Sequence, residues 1–193
     1  MGTRSDVTQI ARQLGAREIL PAPVEMTALA GAIPLKIADA RTCIEIVRNV
    51  PGVTDKEAED RSVEREFSGQ KIRVLDPISL LYCKAELAQK VSQVGRRDVD
   101  HLKMLVYCVR AFLREALRQT EEDAALQKGW LGAAEKVLSL TESAKGAKLS
   151  RRFDVSWREI FPEKEIARNQ LPKLKSFRER RLPEWKRKME MMN

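Results

Sequence analysis

Lys71-Ile-Arg-Val-Leu75-Asp76-Pro77-Ile-Ser-Leu-Leu-Tyr-Cys-Lys84 contains the point where the chain changes its periodicity. Before Asp76 the residues read as a β-rich run, and after Pro77 the apolar residues recur at helical spacing. Asp76 has the chemistry of an N-cap, because its carboxylate can accept from the orphan N–H groups of a first turn. Pro77 suits the first helical position, where a missing N–H costs nothing. The switch from period 2 to period 3.6 predicts an α+β protein, with a small, mostly antiparallel or mixed sheet in the N-terminal half and a helical C-terminal half.

Upstream of the switch, Val63 to Phe67 and Lys71 to Leu75 flank Ser68-Gly69-Gln70, and Gly69 can supply the positive φ of a tight hairpin. Further back, Ile33, Leu35 and Ile37 alternate on one face of a run that Pro34 limits to an edge strand or a strand start. Cys43 to Val47 forms another run, with Ile44 and Ile46 on one face and Cys43, Glu45 and Val47 on the other. Ser5 to Leu14 reads as a short helix stopped by Gly15, Pro21-Ala22-Pro23 as a rigid connector, and Thr54 to Glu57 as a capping box.

Downstream, the helix from Pro77 should run to about Gln93, with Leu80, Leu81, Leu87 and Val91 on its apolar side and Gly95 as its end. A long helix from Asp98 to about Glu121 carries Leu102, Leu105, Val106, Val109, Leu113 and Leu117 as one stripe. Further helices are expected over Ala124 to Ser143, after a capping box at Ser156 to Glu159, and from Leu171 onward with an interruption at Pro183. These elements divide the chain into an α/β core (1–75), a helical bundle packed on it (76–144) and a basic helical tail (145–193).

Composition limits the functions available. Of the 193 residues, 43% are hydrophobic and 33% charged, which fits a modest core under a charged surface. No apolar run approaches bilayer-spanning length and no basic-then-apolar leader opens the chain, so no membrane association and a cytoplasmic protein are expected. Cys43, Cys83 and Cys108 make neither a zinc pattern nor a disulfide framework and read as small core residues. A single histidine, His101, disfavours a His-based triad or a multi-His metal centre. The net charge is +8, and residues 145–193 hold all of it, with 15 basic and 7 acidic side chains. A segment of that kind is either a solvated helical face or a binder of RNA or an acidic protein.

Three features could carry chemistry. Glu45 sits between Ile44 and Ile46 in a strand, so its carboxylate points to solvent or sits at a site. Lys84 lies in an otherwise apolar helix, where it can snorkel or hold a phosphate as a point charge. Asp98 opens the next helix, where capping alone would explain it. An antiparallel turn through Gly95 would also bring it to Lys84, an arrangement that fits a structural or a catalytic pair. His101, one turn further on, reads as a surface or helix-pairing residue.

Together, Ile72-Arg-Val-Leu-Asp-Pro77, the Leu80-x-x-x-Lys84 run and Arg97-Asp-Val-Asp-His-Leu102 resemble the second half of minimal nucleotidyltransferase-fold proteins. These include the toxin nucleotidyltransferases of bacterial toxin–antitoxin and phage-defence systems. Thr42 to Gly52 is similar to that family's strand bearing a third acidic residue, here Glu45. The resemblance spans roughly Ser5 to Leu117. It implies a transferase moving a nucleotide from a nucleoside triphosphate to an RNA or protein acceptor, with a cognate antitoxin as a further partner. Glu45 would be a catalytic and metal-side carboxylate. Lys84 and Arg97 would bind the nucleotide, and Asp98 would orient Lys84 or act as a base.

One departure qualifies this. The family's Gly-Ser turn followed by Asp-x-Asp supplies the carboxylates that hold the metal ions on the phosphates. The Asp-x-Asp found here, Asp98-Val-Asp100, follows a helix instead, and the expected signature would fall before Met1. Mg²⁺ is therefore expected only if the missing ligands are supplied, and this chain by itself is expected to be inactive in transfer. The alternative is a non-catalytic interaction or nucleic-acid-binding protein on the same scaffold.

Overall fold

The computed structural model describes residues 4–16, 18–21, 29–37, 40–67 and 69–191. The protein is α+β and divides into two compact units, residues 1–61 and 62–193. The boundary falls before the last two strands, not after them.

In the first unit, helix α1 (Arg4–Gln13) packs on a sheet of β1 (Leu20–Pro21), β2 (Leu29–Ile37) and β3 (Ala40–Val47). Val7 and Ala11 of the helix bury against Ala30 and Ile33 of β2, with Ile46 packed at the edge of the cluster. Gly31 permits this approach, since a Cβ there would stand 2.9 Å from a Val7 methyl. Helix α2 (Asp55–Asp60) starts on the expected box: Thr54 Oγ1 accepts from Glu57 N at 3.2 Å, and Glu57 Oε2 accepts from Thr54 N at 3.2 Å. Ala22 and Pro23 of the expected connector lie outside the described residues.

The second unit opens with the hairpin β4 (Ser62–Phe67) and β5 (Gln70–Leu75), in which Val63 pairs with Val74 and Phe67 with Gln70. Gly69 has φ 76°, the left-handed value that the turn demands. Ser68 lies outside the described residues. Every strand pairing described is antiparallel, the first of the two expected arrangements, and the strands form two sheets. Links as short as 38–39 and 68–69 can join antiparallel neighbours, whereas a parallel pair needs a crossover of about a dozen residues.

Helix α3 (Pro77–Lys90) begins as its sequence predicts: Asp76 Oδ1 accepts from Ile78 N at 2.7 Å and from Ser79 N at 2.9 Å. It stops three residues short of Gln93, because that side chain folds back. Gln93 Nε2 donates to the Val91 carbonyl (2.8 Å), which the helix end leaves without an intrahelical partner, and to the Leu87 carbonyl (3.2 Å), which also accepts from Val91 N at 3.0 Å. The buried side of α3 is Ile78, Leu81, Ala85 and Ala88, while Leu80 and Leu87 are half-buried and Val91 is exposed. Small alanines at the contact let α3 lie close to α4 (Asp98–Glu122).

The stripe of α4 is buried as expected at Leu102, Val106, Val109, Leu113 and Leu117, with Leu105 partly so. A 3₁₀ turn (Ala124–Leu126) leads into α5 (Gln127–Thr141), whose Trp130 indole donates to the Leu113 carbonyl at 2.8 Å. Among the described residues, no helix is long and apolar enough to cross a membrane.

Residues 144–191 contribute side chains to the core. Helix α6 (Ala144–Phe153), α7 (Glu163–Arg168) and α8 (Leu182–Met191) bury Leu149, Ile166, Trp185 and Met189 in the same cluster as Leu81 and Leu102. Ser143 caps α6, accepting from Gly146 N at 3.0 Å. The capping box expected at Ser156 to Glu159 does not form. Val155, Trp157, Ile160 and Phe161 are all buried, and Trp157 donates to the Gly146 carbonyl at 3.2 Å, so this stretch is held irregular until α7 starts after Pro162. Pro183 does not break the last helix. A π-helical segment (Phe177–Arg181) runs directly into α8, and its wider turn accommodates a ring that has no N–H and would crowd the carbonyl four residues back.

Gly146 is a point of close contact. A Cβ there would lie 2.4 Å from the Leu140 oxygen and 2.6 Å from the Thr141 oxygen, both backbone atoms. Gly146→Ala is expected to cost about 2 kcal/mol through forced displacement. A chemical melt checks this, and the expected midpoint falls with an unchanged slope.

Candidate functional site

The turn from α3 to α4 brings Lys84 and Asp98 together. Gly95 takes φ 71° and reverses the chain, and Lys84 Nζ donates to Asp98 Oδ1 at 2.7 Å. Asp98 does not cap α4. The N-cap is Arg97, with no side-chain capping bond, and Asp98 is the first helical residue. Its second oxygen accepts from Arg96 Nε at 2.5 Å. Both carboxylate oxygens are thus taken by cations.

The Asp98 side chain is 4% exposed, against 24% for Lys84 and 35% for Arg96. Burial pushes the Asp98 carboxyl up, but the hydrogen bonds and charges of Arg96 and Lys84 outweigh it and hold the group below the usual carboxylate range. Next to it, Arg97 is exposed and has no hydrogen-bonded or ionic side-chain partner among the described residues. One buried anion is therefore flanked by three cations at the start of a 25-residue helix. That end carries the positive pole of the helix dipole and uncapped N–H groups. Exposed Asp100 stands in the same first turn, so Lys84, Arg96 and Arg97 are set against two carboxylates, with the N–H groups of the helix start beside them.

The other expected residues fall as follows. Glu45 is exposed on β3, opposite Ala32, and belongs to the first unit, while Lys84, Arg97 and Asp98 belong to the second. His101 is exposed on α4. Cys83 is buried, and burial pushes its thiol up, with Lys84 pulling the other way, so it is an inert core thiol. Cys108 is exposed, contrary to the core reading, because it lies on the side of α4 away from the stripe. The side chain of Cys43 lies outside the described residues.

Among the described residues the carboxylates do not fit a Mg²⁺ site. Among the described residues no group of three or more His, Cys, Asp or Glu side chains could hold a metal ion, and both oxygens of Asp98 are engaged by Lys84 and Arg96. Mg²⁺ prefers six oxygens in near-octahedral order and takes carboxylates that are free to face it.

Two features were missed in the sequence. Arg96 is the second donor to Asp98, and the doubled arginine before the aspartate was its only signal. Glu86 gathers Lys145 and, at 2.5 Å, Lys90. Those hydrogen bonds, that of Lys145 first, draw its carboxyl down.

No protein-family model, curated protein or solved structure matches this chain.

Proposed function

We propose that this chain is a nucleotidyltransferase-fold protein that holds the phosphates of a nucleoside triphosphate at the α3–α4 turn without transferring the nucleotide itself. The observation that carries the reading is the Lys84–Asp98 contact across the two helices, at 2.7 Å. The sequence resemblance asks for that juxtaposition. Lys84 Nζ has three N–H donors and spends one on Asp98, leaving donors for a phosphate oxygen. Arg97 offers a planar fork of donors from solvent. Asp98 orients the lysine, and its carboxylate keeps three neighbouring cations compatible in the absence of a ligand. Transfer would need metal-binding carboxylates converging on the same phosphates. The Asp98-Val-Asp100 pair has its first member locked between Lys84 and Arg96.

The test is equilibrium binding of each of the four labelled ribonucleoside triphosphates, together with transfer assays on RNA and protein acceptors. At least one triphosphate should bind saturably with no label transferred. Arg97→Ala should weaken binding about tenfold, the worth of one charge-assisted hydrogen bond, with no change in melting. Absence of saturable binding for all four, or robust transfer by the chain alone, would overturn the reading.

The alternative, a nucleic-acid or acidic-protein binder acting through the basic C-terminal segment, has less support from the side-chain pairings. Lys145 pairs with Glu86, Arg181 and Lys188 with Glu142, and Lys186 with Glu163. Four of the segment's 15 basic side chains are thus engaged in holding its helices in place.

A further inference from the structure

Helix α7 and the start of α8 leave an open groove of about 410 Å³ between them, within the size range of small-molecule sites. Its lining is largely apolar: Ile166 and Leu182 are buried there, and Ala167 and Pro183 are exposed. The π-helical segment, a rare geometry that recurs at functional sites, supplies Arg178 at one end. Glu163, Lys186 and Arg187 stand at the other. The charges there do not cancel. Glu163 accepts from Lys186 at 2.6 Å, and Arg178 is tied to Glu179 at 3.0 Å and to the Asn169 carbonyl. Arg187 is exposed and has no hydrogen-bonded or ionic side-chain partner among the described residues. Glu184 and Glu190, three residues to either side of it, do not line the groove. The paired groups leave an excess of one positive charge, and residues 163–191 as a whole hold ten basic and five acidic side chains.

We propose that this groove binds a medium-chain monocarboxylate, an unbranched apolar chain that ends in one carboxylate. The chain lies on Ile166, Ala167, Leu182 and Pro183. The carboxylate meets Arg187, whose planar fork takes both oxygens. Lys186 spends one of its three N–H donors on Glu163 and keeps the others for the same head group. At 1.5 Å per residue, Arg178 and Arg187 are about 13 Å apart along the helix, the span of an extended chain of about ten carbons. The charge selects the head group. A phosphate monoester brings about two negative charges at neutral pH against an excess of one. An uncharged head leaves Arg187 without an anion. Because the groove is open to solvent, it covers only part of the chain, and the affinity is correspondingly modest.

The experiment is calorimetric titration of the full chain with decanoate at concentrations where the acid is monomeric. One decanoate should bind per chain, saturably. Octanoate should bind about tenfold more weakly, for two methylenes fewer in apolar contact. Decanol should also bind about tenfold more weakly, for want of the charge-assisted hydrogen bonds to Arg187. Arg187→Ala should weaken decanoate by a similar factor and leave decanol unchanged, a difference that a merely structural arginine would not produce. Ala167→Trp, which fills the groove from an exposed position, should abolish binding without lowering the melting temperature. No saturable binding of decanoate, or binding that survives Ala167→Trp or is unchanged in Arg187→Ala, would overturn the proposal. So would decanol bound as tightly as decanoate, which would assign the groove to neutral ligands, or decyl phosphate bound more tightly, which would assign it to a dianion.

Discussion

Trp185→Ala is expected to lower the stability of the helical unit by about 3–5 kcal/mol, the range for truncating a buried aromatic. Trp185 is fully buried, sits edge-on to Phe161 with ring centroids 5.0 Å apart, and donates its indole N–H to Thr141 Oγ1 at 2.8 Å. Its removal opens a cavity and leaves a buried hydroxyl without that donor. Nothing near it can close the gap easily, because Phe161 is already engaged with Phe177 at 5.8 Å. Urea unfolding followed by circular dichroism measures the loss. A change under 1 kcal/mol would mean that the C-terminal helices add little to the fold, as a merely solvated basic tail would.

Asp98→Ala is expected to cost about 3 kcal/mol, at the low end for removing one partner of a buried ion pair, because Lys84 and Arg96 keep partial access to water. Lys84→Gln should cost less, since Asp98 retains Arg96. The aspartate also gives a pH signature. Its folded carboxyl lies below the ordinary value of about 3.9. The unfolded chain therefore takes up its proton first as the pH falls. The stabilisation is fully present above about pH 5 and disappears as the pH drops below about 4 toward the folded value. The stability gap between wild type and Asp98→Asn should be constant from pH 8 to 5 and shrink by pH 3. A gap independent of pH would show that the carboxylate charge contributes nothing. Glu86 and Glu142, also drawn down by cationic partners, are present in both proteins and cancel in the comparison.

Where structure is set by local chemistry, it could be read from the chain. Asp76-Pro77 starts a helix with bonds that the aspartate accepts from Ile78 N and Ser79 N, and the Thr54 box needs only Glu57. Gly69 sits where a hairpin must turn. The stripe of α4 repeats over so many turns that no other face could be buried. What escaped the reading depends on distant partners. Ser156 has the right neighbour for a cap, yet Trp157 and Phe161 are drawn into a core built with the helices from Pro77 onward. Pro183 looked like a break because the π turn before it has no residue signature. The basic segment looked like a tail because its charges are dense in sequence, and Leu182, Trp185 and Met189 are spaced among them to face inward. At the site, the Lys84–Asp98 pair was legible from two helices and a glycine between them. Arg96 was not, since the choice between two adjacent arginines is made by the geometry of a turn.

The phosphate-holding role of the α3–α4 turn is tested most directly by thermal melts of wild type and Lys84→Gln, each with and without the best-bound triphosphate. A ligand at a hundred times its dissociation constant adds about 2.7 kcal/mol, or roughly 5–10 °C for a chain of this size. The expected result is that shift in the wild type, and little or none in Lys84→Gln, whose ligand-free melting point stays within a few degrees of wild type. Equal shifts in both proteins, or no shift in the wild type with any of the four triphosphates, would contradict it.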